Sequence, residues 1–277
     1  SYNSYYHYNK EMKIFKNKQK LKQAILNEKN ISFVPTMGGF HLGHISLIKK
    51  SRSLKGKVLV SIFVNPKQFN KKSDFVNYPR NLKKDLSLLK KIKVDYVYMP
   101  SQTDIFSFKT KNKVFLDNFS RKLCGGFRKG HFEGVLNVVN RFLEIIKPKH
   151  IILGKKDYQQ LYLISKHILR RKIPTKVISF KTIRESGGIA CSSRNQLLKQ
   201  KHLEIASKVY NYLKRVKKKS SIKINQVKKN ILNFGVEKID YIEVLNVRTL
   251  KKSFKLSKNS KIFIAYHLNK VRLIDNI

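Results

Sequence analysis

The chain has 277 residues, 41% of them hydrophobic, which is enough to bury a substantial core in one large or two medium domains and excludes a disordered polycation. Its 61 Lys+Arg against 16 Asp+Glu give a formal net charge of +45, a balance that brings nucleic acid and anionic membrane surfaces into consideration. The excess lies in short clusters inside amphipathic patterns, such as Lys83 with Lys84 and Lys228 with Lys229, and no apolar run approaches the roughly 20 residues of a membrane span; a solvated lysine surface is expected, with no membrane and no specific nucleic acid as partner. Residues 1–11 are polar and aromatic, lack the apolar core of a secretory signal, and read as a disordered extension. Helical periods are expected over 18–27, 43–53, 82–91 and 134–146, and strands over 31–34, 58–64, 94–99 and 151–153. Such alternation predicts an α/β body with a parallel sheet over 12–182. Beyond Thr182 the texture changes: a loop at Gly187 and Gly188, helices over 201–218 and 225–233, and strands over 240–244 and 261–268 predict a smaller α+β domain over 183–277. Cys124 and Cys191 lie far apart without metal-ligand spacing, which suits a reduced cytoplasmic compartment and not a disulfide framework.

The segment Phe33-Val-Pro-Thr-Met-Gly-Gly-Phe-His-Leu-Gly-His44 runs from an apolar strand into a glycine turn and two histidines three residues apart. If a helix begins near His41, both imidazoles lie on one face of its first turn, beside unpaired backbone N–H groups and the positive dipole end. That arrangement suits anionic phosphate and points to nucleotidyltransferase chemistry on ATP; the plain alternative is a tight turn followed by a polar helix start. Three further segments follow in order: Val60-Ser-Ile-Phe-Val-Asn-Pro-Lys-Gln-Phe69 with Tyr78-Pro-Arg80, Gly154-Lys-Lys-Asp-Tyr-Gln-Gln160, and Ser192-Ser-Arg-Asn195. Taken together, the four segments resemble the pantoate–beta-alanine ligase family, and the resemblance runs from about Met12 to Arg272-Leu-Ile-Asp-Asn276.

The resemblance implies a Rossmann-like nucleotide-binding domain followed by a smaller lid domain, usually in a homodimer. It implies that pantoate and ATP form pantoyl adenylate with release of pyrophosphate, and that the amine of beta-alanine then displaces AMP. His44, Lys156 and Arg194 are the implied catalytic residues, and His41, Ser192 and Ser193 the further contacts to the triphosphate. Pro35, Thr36, Met37 and Gly38 of the first segment, with Gly154, Asp157 and Ile183, complete the implied ATP site. On the pantoate side stand Gln68, Gln160, Arg128 and His131, with Val135, Val138 and Val139 as an apolar wall, and Asp85 is the implied Mg²⁺ ligand. Each residue also has a plain role to be weighed: the valines fit helix packing, the glutamines fit surface amides, and Ser192 fits a helix cap. The chain departs from the family pattern at Lys155, Gly187, Cys191 and Lys84, so the metal site rests on fewer acids. Other nucleotidyltransferases of the same histidine motif, and a noncatalytic basic nucleic-acid-binding protein on the same fold, are the alternatives.

Overall fold

The computed structural model describes residues 11–277, so the expectation of a disordered extension lies, apart from Glu11, outside the described residues. Strand β1 (Lys13–Phe15) leads into α1 (Lys18–Ile25), which Asn17 caps by accepting the N–H groups of Gln19 and Lys20. There follow β2 (Ile31–Thr36), α2 (Leu42–Ser53), β3 (Lys57–Ile62), α3 (Lys72–Asn77), α4 (Leu82–Lys91) and β4 (Tyr96–Tyr98). The short α5 (Gln102–Phe106) and α6 (Cys124–Phe127) precede α7 (His131–Ile146), β5 (His150–Gly154), α8 (Tyr158–Arg170) and β6 (Lys176–Phe180). These strands form one sheet in the order β1-β4-β3-β2-β5-β6, and every pairing in it is parallel. Strand order reverses at β2, between the β3-β4 side and the β5-β6 side, and such a reversal leaves a crevice beyond the carboxyl ends of the strands.

Both faces of the sheet are covered, as continuous apolar strands require. On one face α7 buries Leu136, Val139 and Phe142, with the Phe142 ring centroid 5.4 Å from that of Phe33. Val34, Val60 and Ile152 pack with Ile48 of α2 and Leu89 of α4 on the other. Beyond β6, α9 (Gln200–Lys217) and α10 (Ile224–Asn233) pack on a second sheet, antiparallel in the order β7-β8-β9, made of β7 (Lys238–Asn246), β8 (Ser260–Leu268) and β9 (Val271–Asn276). Tyr241, Leu245 and Phe263 of this second sheet reach into the core of the first.

The α/β class, with a parallel sheet followed by a smaller α+β part, agrees with the sequence pattern, the antiparallel pairing of the second sheet is new, and α4 falls where its period places it. Seven elements have no counterpart in that reading: β1, α3, α5, α6, α8, β6 and β9. A three-residue edge strand is too short to show a period, and β6 is half-exposed on the opposite edge with no continuous apolar run. Helix α8 begins inside the Gly154–Gln160 motif and buries Leu163, Ile164 and Ile168, an apolar face interrupted by a buried His167. That histidine bonds Asn140 and accepts the Phe115 N–H, which makes it a structural member of the core.

Candidate active site

The glycine turn is built by its neighbours. At the end of β2, the Thr36 hydroxyl donates to the Ser61 carbonyl at 2.7 Å and accepts the Gly38 N–H at 3.2 Å. Gly38 and Gly39 have φ of +78° and +64°, a left-handed pair that side chains resist, so glycine is required at both. Asp85, 4% exposed on α4, accepts the N–H of Gly39 at 2.9 Å and of Phe40 at 3.0 Å, and Ser193 donates to the Gly39 carbonyl at 2.7 Å. His41 is the N-cap of α2, and its Nδ1 accepts the Gly43 N–H at 3.0 Å. His44 returns the bond, its Nδ1 accepting the His41 N–H at 3.2 Å, and the two ring centroids lie 4.0 Å apart. A Cβ at Gly43 would stand 2.7 Å from the His41 ring, so that position is kept bare for the imidazole.

Those two bonds fix the tautomer. A ring nitrogen that accepts a backbone N–H carries no proton, so in each neutral imidazole the hydrogen is on Nε2. Burial first, and the Lys156 charge second, pull His41 down to about 4; burial, then His41, then Lys156 hold His44 well below its ordinary value. At neutral pH the pair therefore offers two uncharged N–H donors at a helix N-terminus.

Lys156 comes from a single 3₁₀ turn, Lys155–Asp157, that follows β5. Asn276 of β9 holds this turn, its Nδ2 donating to the carbonyls of Lys155 and Lys156 at 3.0 Å each. Gly154, before it, has open space where a Cβ would stand. The two amides of the motif separate sharply. Gln159 is buried and spent on structure, donating to Phe119 and Lys122 carbonyls and accepting the Cys124 N–H. Gln160 makes no side-chain hydrogen bond among the described residues and faces a small recess of about 40 Å³ shared with Lys156, Arg128 and His131.

A cleft of about 670 Å³ opens between the two sheets, lined by Lys156, Asp157, Ser192 and Arg194 from one side and by Asp240 and Arg272 from the other. His41 and His44 do not line it; Lys156 joins the two parts, standing on the cleft wall while its charge acts on both rings. Ser192 caps the turn by accepting the Arg194 N–H at 3.3 Å. The Arg194 guanidinium forks onto Asp74 of α3 at 3.1 and 2.9 Å, and lies 5.2 Å from the Tyr78 ring centroid. Arg128 stands 3.9 Å from the same carboxylate and bonds His131 Nε2 at 3.3 Å. His131 Nδ1 donates to the Gln68 carbonyl at 2.7 Å, and burial, then Arg128, bring this ring down to about 3. Gln68, 8% exposed, has its amide at 3.3 Å from Met37 Sδ.

Pro35 lies within β2 opposite Ser61, and the Ile183 carbonyl accepts the Cys191 N–H at 2.9 Å, keeping the Ser192–Arg194 segment beside the glycine turn. Val135, Val138 and Val139 are at most 5% exposed and packed in the first core, and none lines the cleft, which favours helix packing over a pantoate wall. Asp74, Asn276 and Arg272 are not among the site residues expected from the sequence; Arg272 and Asn276 stand in the segment that closes the family resemblance, and the signal for Asp74 is that acids are scarce. Among the described residues no three His, Cys, Asp or Glu gather as a metal cage, both cysteines are free and buried, and no helix is long and apolar enough to cross a membrane.

Residues 11–277 match the family model described as pantoate-beta-alanine ligase. The chain belongs to that family. It is 39% identical over 276 residues to the pantothenate synthetase of Thermosipho melanesiensis, covering 96% of this chain and 99% of that one. With the pantothenate synthetase of Fervidobacterium nodosum the identity is 40%, over 92% and 94% of the two chains. Among solved structures it is similar to the pantoate-beta-alanine ligase of Francisella tularensis complexed with beta-gamma ATP and beta-alanine, with a TM-score of 0.84 and 37% identity over 96% and 97% of the chains. The pantothenate synthetase of Thermus thermophilus superposes with a TM-score of 0.86 at 29% identity over 96% and 99%. Like other members of the pantoate–beta-alanine ligase family, the chain is an enzyme.

Proposed function

We propose that the crevice beyond β2 and β5 is where this ligase joins pantoate to ATP and then to beta-alanine. The observation that carries this reading is the pair of neutral Nε2–H donors at the N-terminus of α2, set beside Lys156. Uncharged donors and a helix dipole suit phosphate oxygens, and Lys156 supplies the point charge where charge grows on the α-phosphorus. A pantoate carboxylate oxygen attacks that phosphorus, the bond to the β-phosphate oxygen breaks, and pyrophosphate leaves. The amine nitrogen of beta-alanine then attacks the acyl carbon, a C–N bond forms, the C–O bond to AMP breaks, and the amine gives up its proton. No covalent bond to the protein is needed; alignment and electrostatics supply the rate.

In this reading His41, His44, Lys156, Ser192 and Arg194 hold the nucleotide, with the backbone of Pro35, Thr36, Met37, Gly38, Gly154 and Ile183 framing it and Asp157 at the ribose. Ser193 acts indirectly, through its bond to the Gly39 carbonyl. Gln68 and Gln160 receive the hydroxyls and carboxylate of pantoate, and the unspent amide of Gln160 is suited to that task. The donor set does not fit a protein-held Mg²⁺ cage: Asp85 already uses both oxygens on the glycine turn, and no second acid joins it among the described residues. Mg²⁺ is accordingly assigned to the nucleotide it accompanies, with Asp85 as anchor of the turn. A lid role for residues 183–277, a homodimer and a cytoplasmic setting belong to the same proposal. The test is pyrophosphate release from MgATP with and without pantoate, followed by AMP and pantothenate on adding beta-alanine. Pantoate-dependent pyrophosphate is the result expected; a folded protein that binds ATP and ignores pantoate would refute the reading.

A further inference from the structure

We infer that Arg272, held in place by Asp240 and His267 on the three-stranded sheet, binds the carboxylate of the amine co-substrate; this rests on the reading above. Asp240 sits at a bulge of β7, where the register with β8 shifts between Ile239 and Tyr241. A bulge re-aims a side chain, and here the re-aimed side chain is an acid, only 5% exposed, on the wall of the cleft. Its Oδ2 accepts Arg272 Nε at 2.8 Å and its Oδ1 lies 3.1 Å from His267 Nε2, with exposed Lys238 at 3.7 Å; His267 and Arg272 are cross-strand partners on β8 and β9. Arg272 Nη1 lies 3.5 Å from the Cys124 sulfur, and the guanidinium carbon stands 6.0 Å from the ring centroid of Tyr241, whose side chain is the other polar neighbour. Its Nη2 is buried with no hydrogen-bond partner of ordinary geometry among the described residues. A buried guanidinium N–H without an acceptor is costly, and it belongs to a side chain that lines the cleft, where an anionic occupant would offer an acceptor.

The charge balance around it says the same. Seven Lys and Arg side chains line the cleft against four acids, Asp74, Asp157, Asp240 and Asp275, and Arg128, Arg194 and Arg272 converge there from three elements. Burial first, and then the charges of Arg194 and Arg272, depress Arg128 to about 10, so crowding by cations adds to the cost of burial. Position sets Arg272 apart from the histidine pair. Cys124, which Arg272 touches, lines the recess of Gln160, Arg128 and His131, and His131 bonds Gln68; the phosphate donors His41 and His44 are grouped on α2. A planar fork at the acyl end grips a carboxylate and leaves the far nitrogen free to point at the acyl carbon. The same cations disfavour an ammonium and so favour the neutral amine that attacks.

Arg272→Met tests this, with two readouts on the intact chain. Pantoate-dependent exchange of labelled pyrophosphate into ATP should stay near wild type, while the KM for beta-alanine rises on the order of tenfold or more. Propylamine, which lacks the carboxylate, should be used as well by the variant as by wild type, so that the preference for beta-alanine collapses. Asp240→Asn, which keeps the shape and loosens the fork, should raise the beta-alanine KM with exchange again intact. It serves as the second variant if Arg272→Met does not fold, and an unchanged beta-alanine KM in it then overturns the assignment. So does an unchanged beta-alanine preference in Arg272→Met, or a fall in exchange by the same factor as the loss of amidation. Absence of pantoate-dependent exchange in wild type would instead remove the underlying reading of the site.

Discussion

The parallel and antiparallel sheets contribute to the cleft in opposite ways. The parallel sheet presents its chemistry from loops just beyond strand ends: His41 follows β2 within a few residues, and Lys156 follows β5 directly. Its side chains are fixed by neighbours in sequence, as in the mutual capping of His41 and His44. The antiparallel sheet presents Asp240, Arg272 and Asn276 from inside its strands, and fixes residues outside it at long range. Arg184 pairs with Asp275 at 2.6 Å across 91 positions, and Asn276 holds the Lys156 turn across 120. The parallel sheet carries His41 and Lys156, while the antiparallel sheet carries Arg272 and also positions the Lys156 turn; a cleft made of both is complete only when they meet.

The sharpest way to break that division is to remove a carried group. Lys156→Ala and His44→Ala should each lower pantoate-dependent pyrophosphate release about 10²–10³-fold with circular dichroism unchanged, the cost of deleting one donor aimed at developing charge. Wild-type turnover by Lys156→Ala would refute its role. Next is acid stability. Burial pushes His167 down to about 4 from 6.5. Between those values the unfolded chain holds a proton that the folded chain refuses, so stability is complete above pH 6.5 and is lost as pH falls towards 4, on the order of 3 kcal/mol at the bottom of that window. His41 at about 4 and His131 at about 3 act with the same sign. Tm measured against pH should show this acid limb, and His167→Gln should flatten it.

A smaller effect separates anchor from metal ligand. Asp85→Ala strips the acceptor from two turn N–H groups, which should cost about 1–3 kcal/mol and raise the KM for ATP at every Mg²⁺ concentration. Rescue by added Mg²⁺ would restore the metal-ligand role. Smallest, Asn276→Ala should cost about 1 kcal/mol in urea unfolding while lowering kcat more than it changes the KM for ATP, because it frees the Lys156 turn without touching the nucleotide. An unaltered kcat would show that the second sheet does not set Lys156.

How much of this was legible depends on distance along the chain. The strand, glycine turn and histidine pair stand in twelve consecutive residues, and α4 and α7 show plain apolar periods. The edge strands β1 and β6 are too short or too exposed to carry a period, and the polar start of α8 hides its helix. Gln159 and Gln160 are adjacent and chemically identical; the family resemblance points to Gln160, and the structure adds that Gln159 staples the loop at Phe119 and Lys122 while Gln160 is unspent. Asp85 likewise reads as an oxygen ligand until its two bonds to the glycine turn are seen.

The sequence by itself determined the class of fold, the family and the pairing of His41 with His44 at a helix start, because those follow from local period, turn chemistry and short spacing. Tertiary structure alone decided that Asp74 grips Arg194, that Asn276 sets the Lys156 turn, and that Asp240 aims Arg272 at the cleft. These partners lie on different elements, and packing of the two cores against each other, which no local pattern encodes, is what brings them within bonding distance.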